Sequence, residues 1–138
     1  MKKFFFILLI LITAAACKKT KFEPEGPTDV RVRNMQGAEV FTDVVINTAG
    51  VRDTVGNVRS LGTINPGEVS AYKRVKIAFS KAEITAKING EIFSTGPVNS
   101  TYMDYKGQMK ITYEVYISNM TNKILMISNV IPEAPLEP

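Results

Sequence analysis

Histidine and tryptophan are absent from the 138-residue sequence, and Cys17 is its single cysteine. Without histidine, the chain lacks the commonest general base and the commonest zinc ligand. A single cysteine excludes a disulfide within the chain, so stability must come from packing. The scattered carboxylates have no spacing typical of a catalytic pair or a calcium loop, and no phosphate-binding loop occurs. These absences predict a protein that is not an enzyme and uses no cofactor or metal.

The charge balance also argues against one class of partner. The chain carries 17 lysines and arginines against 13 aspartates and glutamates, a formal net charge of +4. The basic residues are spread along the sequence rather than clustered, whereas nucleic-acid-binding proteins concentrate them on one face or stripe. We therefore expect no nucleic-acid partner.

The amino terminus has the three parts of a secretory signal peptide. Lys2 and Lys3 precede an apolar run over residues 4–16, which ends in three alanines directly before Cys17. The run is too short for a membrane-spanning helix, which needs roughly 20 apolar residues. We predict a cleaved signal peptide over residues 1–16, which leaves 122 residues (138 − 16).

The residues around the cut resemble the bacterial lipoprotein signal. In that pattern the residue after cleavage is a cysteine that receives lipid, which implies lipidation of Cys17 and attachment to the membrane through acyl chains. Ala14 stands where a large aliphatic residue is preferred, so cleavage without lipid by ordinary signal peptidase is the alternative. Lys18, where an aspartate would imply retention in the inner membrane, implies the outer membrane. The basic run over residues 18–21 implies a periplasmic orientation.

Residues 17–28 and 132–138 contain prolines that disfavour regular structure. We predict a lipidated tether over residues 17–28 and a Pro-rich extended tail over residues 132–138, with one folded domain over 29–131. In that domain apolar and polar residues alternate in short β-branched runs separated by Gly, Asn and Pro, the pattern of strands. The predicted strands cover residues 30–34, 44–48, 60–64, 69–73, 82–88, 91–95, 109–117 and 124–131.

Short strands at this spacing predict an all-β fold, a single antiparallel β-sandwich that is immunoglobulin-like or transthyretin-like. Asn89-Gly90 between two alternating runs favours a two-residue hairpin with a type I′ turn, which pairs Ala86 with Phe93. Tyr113 falls on the core face of the run over residues 109–117. The run over residues 124–131 is apolar on both faces, which predicts a central position in a sheet.

The succession of these segments resembles a family of small lipoproteins of the Bacteroidota. The resemblance rests on turns and core positions that cover most of the domain, namely residues 30–34, 44–48, 62–73, 77–79, 88–90 and 107–113. It implies a lipid-anchored β-sandwich of the cell envelope. It implies no activity and no functional residue other than Cys17.

Three further residues are candidates for recognition or modification. Tyr102 and Tyr105 lie in the longest irregular connection that carries aromatic residues, and such loops often bind partners. Thr54, in Asp53-Thr54-Val55, resembles the O-glycosylation site of exported Bacteroidota proteins.

Two functions fit the sequence. The first is a non-catalytic interaction module that binds another envelope protein through an exposed sheet edge or loop. The second is an accessory protein that binds a glycan or small ligand, which the absence of tryptophan disfavours.

Overall fold

A computed structural model describes residues 25–50, 54–99 and 103–136 of the chain. These residues form eight strands and no α-helix, which confirms the all-β prediction. The strands are β1 (Thr28–Asn34), β2 (Phe41–Asn47), β3 (Val58–Ile64), β4 (Lys73–Val75), β5 (Glu83–Ile88), β6 (Glu91–Ser94), β7 (Met109–Asn119) and β8 (Ile124–Pro135).

The eight strands form one mixed sheet in the order β3-β2-β5-β6-β8-β7-β1-β4. The prediction of a purely antiparallel sheet is wrong, because β1 pairs parallel to β7 and β6 pairs parallel to β8. Alternation along a strand identifies its buried face but not the direction of its neighbours. β1 and β7 lie far apart in the chain, and neither of their sequences indicates that the two strands pair.

The sheet curls until its two edges approach each other. Arg59 of β3 donates its Nε to the carbonyl of Arg74 in β4 at 2.7 Å, and Lys76 N–H donates to the carbonyl of Gly56 at 3.1 Å. The result is a nearly barrel-shaped sheet rather than two clearly separate layers. Only the coarser prediction, an all-β fold, is therefore confirmed.

The inner face of this sheet holds a continuous apolar core. Tyr113 and Phe41 are its largest fully buried side chains, and every strand contributes at least one buried residue to it. Each buried aliphatic or aromatic side chain contributes about 1.5–3 kcal/mol relative to exposure. The other fully buried large side chains are Val30, Val32, Val44, Ile46, Ile64, Val75, Ile84, Ile88, Ile111 and Leu125.

The hairpin between β5 and β6 is confirmed in turn and register. Asn89 and Gly90 both have positive φ, 52° and 83°, as a type I′ turn requires. Ala86 pairs with Phe93, and both side chains are buried.

The strand predicted over residues 69–73 is wrong in position. Val69 makes only an isolated bridge to Arg33, and Ser70 uses its hydroxyl to accept a hydrogen bond from Val32 N–H at 3.1 Å. Regular pairing starts at Lys73 opposite Val30. A side-chain hydrogen bond therefore replaces part of the backbone ladder that the alternation predicted.

Both ends of the folded domain lie outside the predicted bounds of 29–131. Thr28, assigned to the tether, is buried at the start of β1 and donates its hydroxyl to the Gly107 carbonyl at 2.7 Å. The predicted tail instead continues β8, where Pro132 pairs with Ile111 and Pro135 with Met109. A strand edge without a neighbour needs no N–H donor, so it accepts proline.

Candidate functional site

The seam between β6 and β8 opens within the sheet, because the two strands separate after one residue pair. Ser94 and Ile124 form its only register pair in the described chain, and Ser94 N–H donates to the Lys123 carbonyl at 3.1 Å. Thr95 then follows β5 instead, since its N–H donates to the Ile84 carbonyl at 3.0 Å and its hydroxyl to the Ala82 carbonyl at 2.9 Å. The chain after β6 thus moves away from β8.

The separation creates a cleft of about 430 Å³ between β8 and the segment over residues 95–99. We call it the β8 cleft. Its volume lies within the ~300–1,000 Å³ typical of binding pockets, and its lining is mostly apolar, as such sites usually are. The apolar lining residues are Ala82, Pro97, Val98, Met103, Leu125, Met126 and Ile127, and the polar ones are Lys81, Thr95 and Asn99.

The outer wall of the cleft is held by a close backbone approach. The Val98 carbonyl lies against Gly50, and a Cβ placed on Gly50 would overlap that oxygen. Gly50 also has a φ of 71°, in the left-handed region that favours glycine. Glycine at position 50 therefore allows the Val98 carbonyl, in the outer wall of the cleft, to approach this closely.

On the cleft side of β8, one end of the strand is protected against pairing with a further strand, and the other end is not. Pro132 and Pro135 carry no N–H, and the Val130 N–H is bonded to the side-chain oxygen of Asn129 at 2.9 Å. Residues 125–128 have no such device and no strand beside them in the described chain. We call these residues the edge window. They span about 13 Å of strand, the length of a short peptide segment.

Exposed apolar side chains continue from the cleft onto the outer surface. Met126 lines the cleft and is 46% exposed, and Tyr116 of β7 donates its hydroxyl to the Met126 sulfur at 3.6 Å. Ile124 is exposed beside the seam, and Ile92 of β6 is 63% exposed. Residues 124–131, predicted to be central, form most of β8, and the strand order places β8 between β6 and β7. Most apolar side chains of β8 are nevertheless not buried.

Lys81 gives the cleft its charge. Its side chain is exposed at the rim and forms no ion pair with any residue that the structure describes. Two other lysines of the neighbouring strands and turns are paired: Lys87 with Asp43 at 2.8 Å and Lys123 with Glu91 at 2.9 Å. Of these three lysines, only Lys81 therefore offers an uncompensated positive charge to the carboxylate of a ligand.

The residues singled out from the sequence lie elsewhere. Cys17 and Tyr102 lie outside the described residues. Tyr105 is 48% exposed, but it does not line the β8 cleft, and its backbone forms a bridge to Phe79. Thr54 is exposed where the described chain resumes, and its carbonyl accepts from Asn57 N–H at 3.2 Å. The described residues of the predicted recognition loop that line the cleft are Pro97, Val98, Asn99 and Met103.

A second polar feature, on the outer face of β1, β7 and β8, is internally satisfied. Glu133 accepts from Arg31 Nη2 at 2.7 Å and from the hydroxyls of Tyr72 and Thr112. The Arg31 guanidinium lies 4.6 Å from the Tyr72 ring centre, and Lys110 Nζ lies 5.7 Å from it. These groups bind one another, so the cluster holds the end of β8 in place. The edge window is then the accessible part of β8.

Glu133 should make the stability of the fold depend on pH. Partial desolvation raises its pKa, but hydrogen bonds from Thr112, Tyr72 and Arg31 outweigh it and lower the pKa to about 2. A carboxyl with a lowered pKa stabilises the fold above its unfolded pKa of about 4.3, and this contribution is lost as pH falls towards 2. The side chain is 30% exposed, so screening reduces the effect and we expect Glu133→Gln to destabilise by about 1–2 kcal/mol at pH 7.

Urea unfolding at pH 7 and at pH 2.5 measures this effect. The difference in the free energy of unfolding between the native protein and Glu133→Gln should be smaller at pH 2.5 than at pH 7. Glu68→Gln is the matched control, because Glu68 is exposed in a turn and its carboxylate accepts from the Asn65 side chain at 2.9 Å. An equal effect of both substitutions at pH 7 would contradict a stabilising cluster at Glu133.

Within the described ranges, no group of three acidic, cysteine or histidine side chains is placed to hold a metal ion. The same part of the chain contains no helix long and apolar enough to cross a bilayer. Neither observation assigns a function, so the β8 cleft with its edge window is the candidate site.

A solved structure of a protein from Eubacterium rectale, determined by NMR, is similar to this chain. The TM-score is 0.50 at 11% sequence identity, and the match covers 80% of this chain and 96% of that one. At this identity the likeness concerns the fold alone. No protein-family model matches the chain, and no curated protein matches it.

Proposed function

We propose that this protein is a non-catalytic protein-interaction module of the cell envelope that binds its partner at the β8 cleft. The observation that carries the proposal is the edge window beside an apolar cleft. An unpaired strand next to apolar side chains offers both backbone hydrogen bonds and a hydrophobic surface to a second protein.

The proposed location follows from the amino-terminal sequence. Acyl chains on Cys17 would hold the domain at the outer membrane, facing the periplasm, as Lys18 and the basic residues after it imply. Membership of the Bacteroidota lipoprotein family, the immunoglobulin-like or transthyretin-like layering of the sheet and glycosylation of Thr54 stay predictions from the sequence.

The cleft volume supports a second candidate function, binding of a small ligand. About 430 Å³ would accommodate such a molecule. The mostly apolar lining disfavours a glycan, which needs many hydrogen-bonding groups. Ile92 and Ile124, which are exposed beyond the cleft, favour a larger partner, since a small ligand in the cleft would leave them uncovered.

Site-specific photo-crosslinking in intact membranes tests the interaction module. A photoreactive amino acid at Met126 of the full-length protein should give one discrete protein adduct. The matched control is the same amino acid at Met120, which is 49% exposed, against 46% for Met126, but lies outside the cleft.

Each result decides between the candidates. An adduct at position 126 that is absent at position 120 and is reduced by Lys81→Glu supports a protein partner. Equal labelling at both positions, or labelling at 126 only by lipid or other small molecules, would count against the interaction module.

A further inference from the structure

We propose that the partner binds as an extended peptide segment that adds a strand to β8 at the edge window, with apolar side chains in the β8 cleft and a carboxylate at Lys81. This inference rests on the proposed function and specifies the chemistry of the partner. The site has three properties, and a single extended peptide segment matches all of them.

The first property is the backbone of the edge window. β8 pairs with β7 along its whole length, but on the other side β6 leaves it after Ser94 and Ile124. Residues 125–128 therefore present main-chain groups on that side, whereas Pro132, Pro135 and the Asn129 cap protect the following half. A peptide strand supplies the complementary donors and acceptors at the required spacing.

The second property is the apolar lining beside that backbone. In an added strand, alternate side chains lie on the same face about 6.6 Å apart. Leu125 and Ile127 line the cleft on the β8 side, with Pro97 and Val98 across from them. Apolar residues at alternate positions of the peptide would pack there, as side-chain pockets give specificity in strand addition.

The third property is the charge of the rim. Lys81 is exposed there without an acidic partner in the described part of the chain, whereas Lys87 and Lys123 are paired. A carboxylate of the peptide, either a side chain or the carboxyl terminus, would complement Lys81. The chemistry of the partner is therefore an extended, alternately apolar segment with one negative charge.

Fluorescence polarisation with a synthetic probe tests this proposal on the full-length protein in detergent micelles. The probe is a fluorescein-labelled hexapeptide of alternating valine and threonine with a free carboxyl terminus. A second probe ends in an amide, a third carries an internal aspartate and an amide, and a fourth is N-methylated at alternate residues so that main-chain donors are blocked.

We expect saturable binding of the first probe. N-methylation should weaken it about tenfold or more, because each lost hydrogen bond contributes about 1 kcal/mol. The amide should bind about 2–5-fold more weakly, and Lys81→Gln should remove the difference between acid and amide. Comparing the third probe with the first shows whether the carboxylate belongs to a side chain or to the terminus.

Two substitutions have matched controls. Met126→Lys should weaken binding at least tenfold, and Met120→Lys should not change it, since the two methionines are similarly exposed but only Met126 lines the cleft. Lys73→Gln, at an exposed lysine of β4, controls for Lys81→Gln.

Failure of this inference is distinguishable from failure of the proposed function. Equal binding of the N-methylated probe, or no probe binding where position 126 still crosslinks to a protein, would overturn strand addition and leave the interaction module standing. Equal binding of acid and amide to the native protein would overturn the pairing of a terminal carboxylate with Lys81. Absence of a protein adduct at position 126 would remove the proposed function itself.

Discussion

Replacing Tyr113 by alanine is expected to lower the free energy of unfolding by about 3–5 kcal/mol, the range for large aromatic residues in a packed core. Tyr113 is fully buried in β7, and its hydroxyl donates to the Phe79 carbonyl at 2.6 Å. Burial raises the pKa of Tyr113, so the hydroxyl keeps its proton and remains a donor throughout the neutral range. The substitution removes the packing and the hydrogen bond that ties the segment at Phe79 to the core.

Urea unfolding followed by circular dichroism measures the effect. Because alanine leaves little stability in a domain of this size, Tyr113→Phe provides a second value, with an expected loss of about 1–2 kcal/mol from the unsatisfied carbonyl. Tyr116→Ala is the control on the same strand, since Tyr116 is only partly buried. Similar losses for Tyr113→Ala and Tyr116→Ala would contradict the assignment of Tyr113 to the core.

Replacing Cys17 by serine is expected to move the processed protein from the detergent phase to the aqueous phase in a cloud-point extraction. Each buried methylene contributes about 0.8 kcal/mol, and a single acyl chain binds membranes only marginally, so firm attachment would require two or three chains. Metabolic labelling with an alkyne fatty acid should mark the native chain and leave Cys17→Ser unlabelled.

Mass spectrometry of the amino terminus supplies the control. It identifies the molecules cleaved after Ala16, so that retention of an uncleaved signal peptide is not mistaken for a lipid anchor. A native chain that begins with an unmodified Cys17 thiol and partitions into the aqueous phase would contradict lipid anchoring.

Local features of the fold could be predicted because neighbouring residues determine them. Asn89-Gly90 requires two positive φ values, and the alternation around it fixes the partners of Ala86 and Ile88 without reference to distant residues. The buried face of β7 followed in the same way from its period of two.

The directions and partners of distant strands could not be predicted. β1 alternates identically whether β7 runs parallel or antiparallel beside it, so its sequence carries no information on that choice. The shift from residues 69–73 to β4 arose from the Ser70 hydroxyl, which bonds to Val32 in place of a ladder partner.

The candidate site was only partly predictable. An exposed sheet edge was expected in general, but its place depends on the separation of β6 from β8, which brings together residues from four segments of the chain. One signal was available: Pro132 and Pro135 directly after an apolar strand are compatible with continuation of that strand along an unpaired edge, as well as with a separate extended tail. Residue type pointed to the tyrosines of the loop before β7, but Tyr105 does not line the cleft, whereas Met103 does.

Amide hydrogen exchange at the edge window tests the central claim, an accessible edge in the middle of the sheet, most directly. In the free protein, alternate amides of residues 125–128 should exchange at least about tenfold faster than those of β7 across residues 111–115, because they lack a strand partner. The first hexapeptide probe should then slow them. Uniformly slow exchange along β8 in the free protein would show a closed seam and contradict the account.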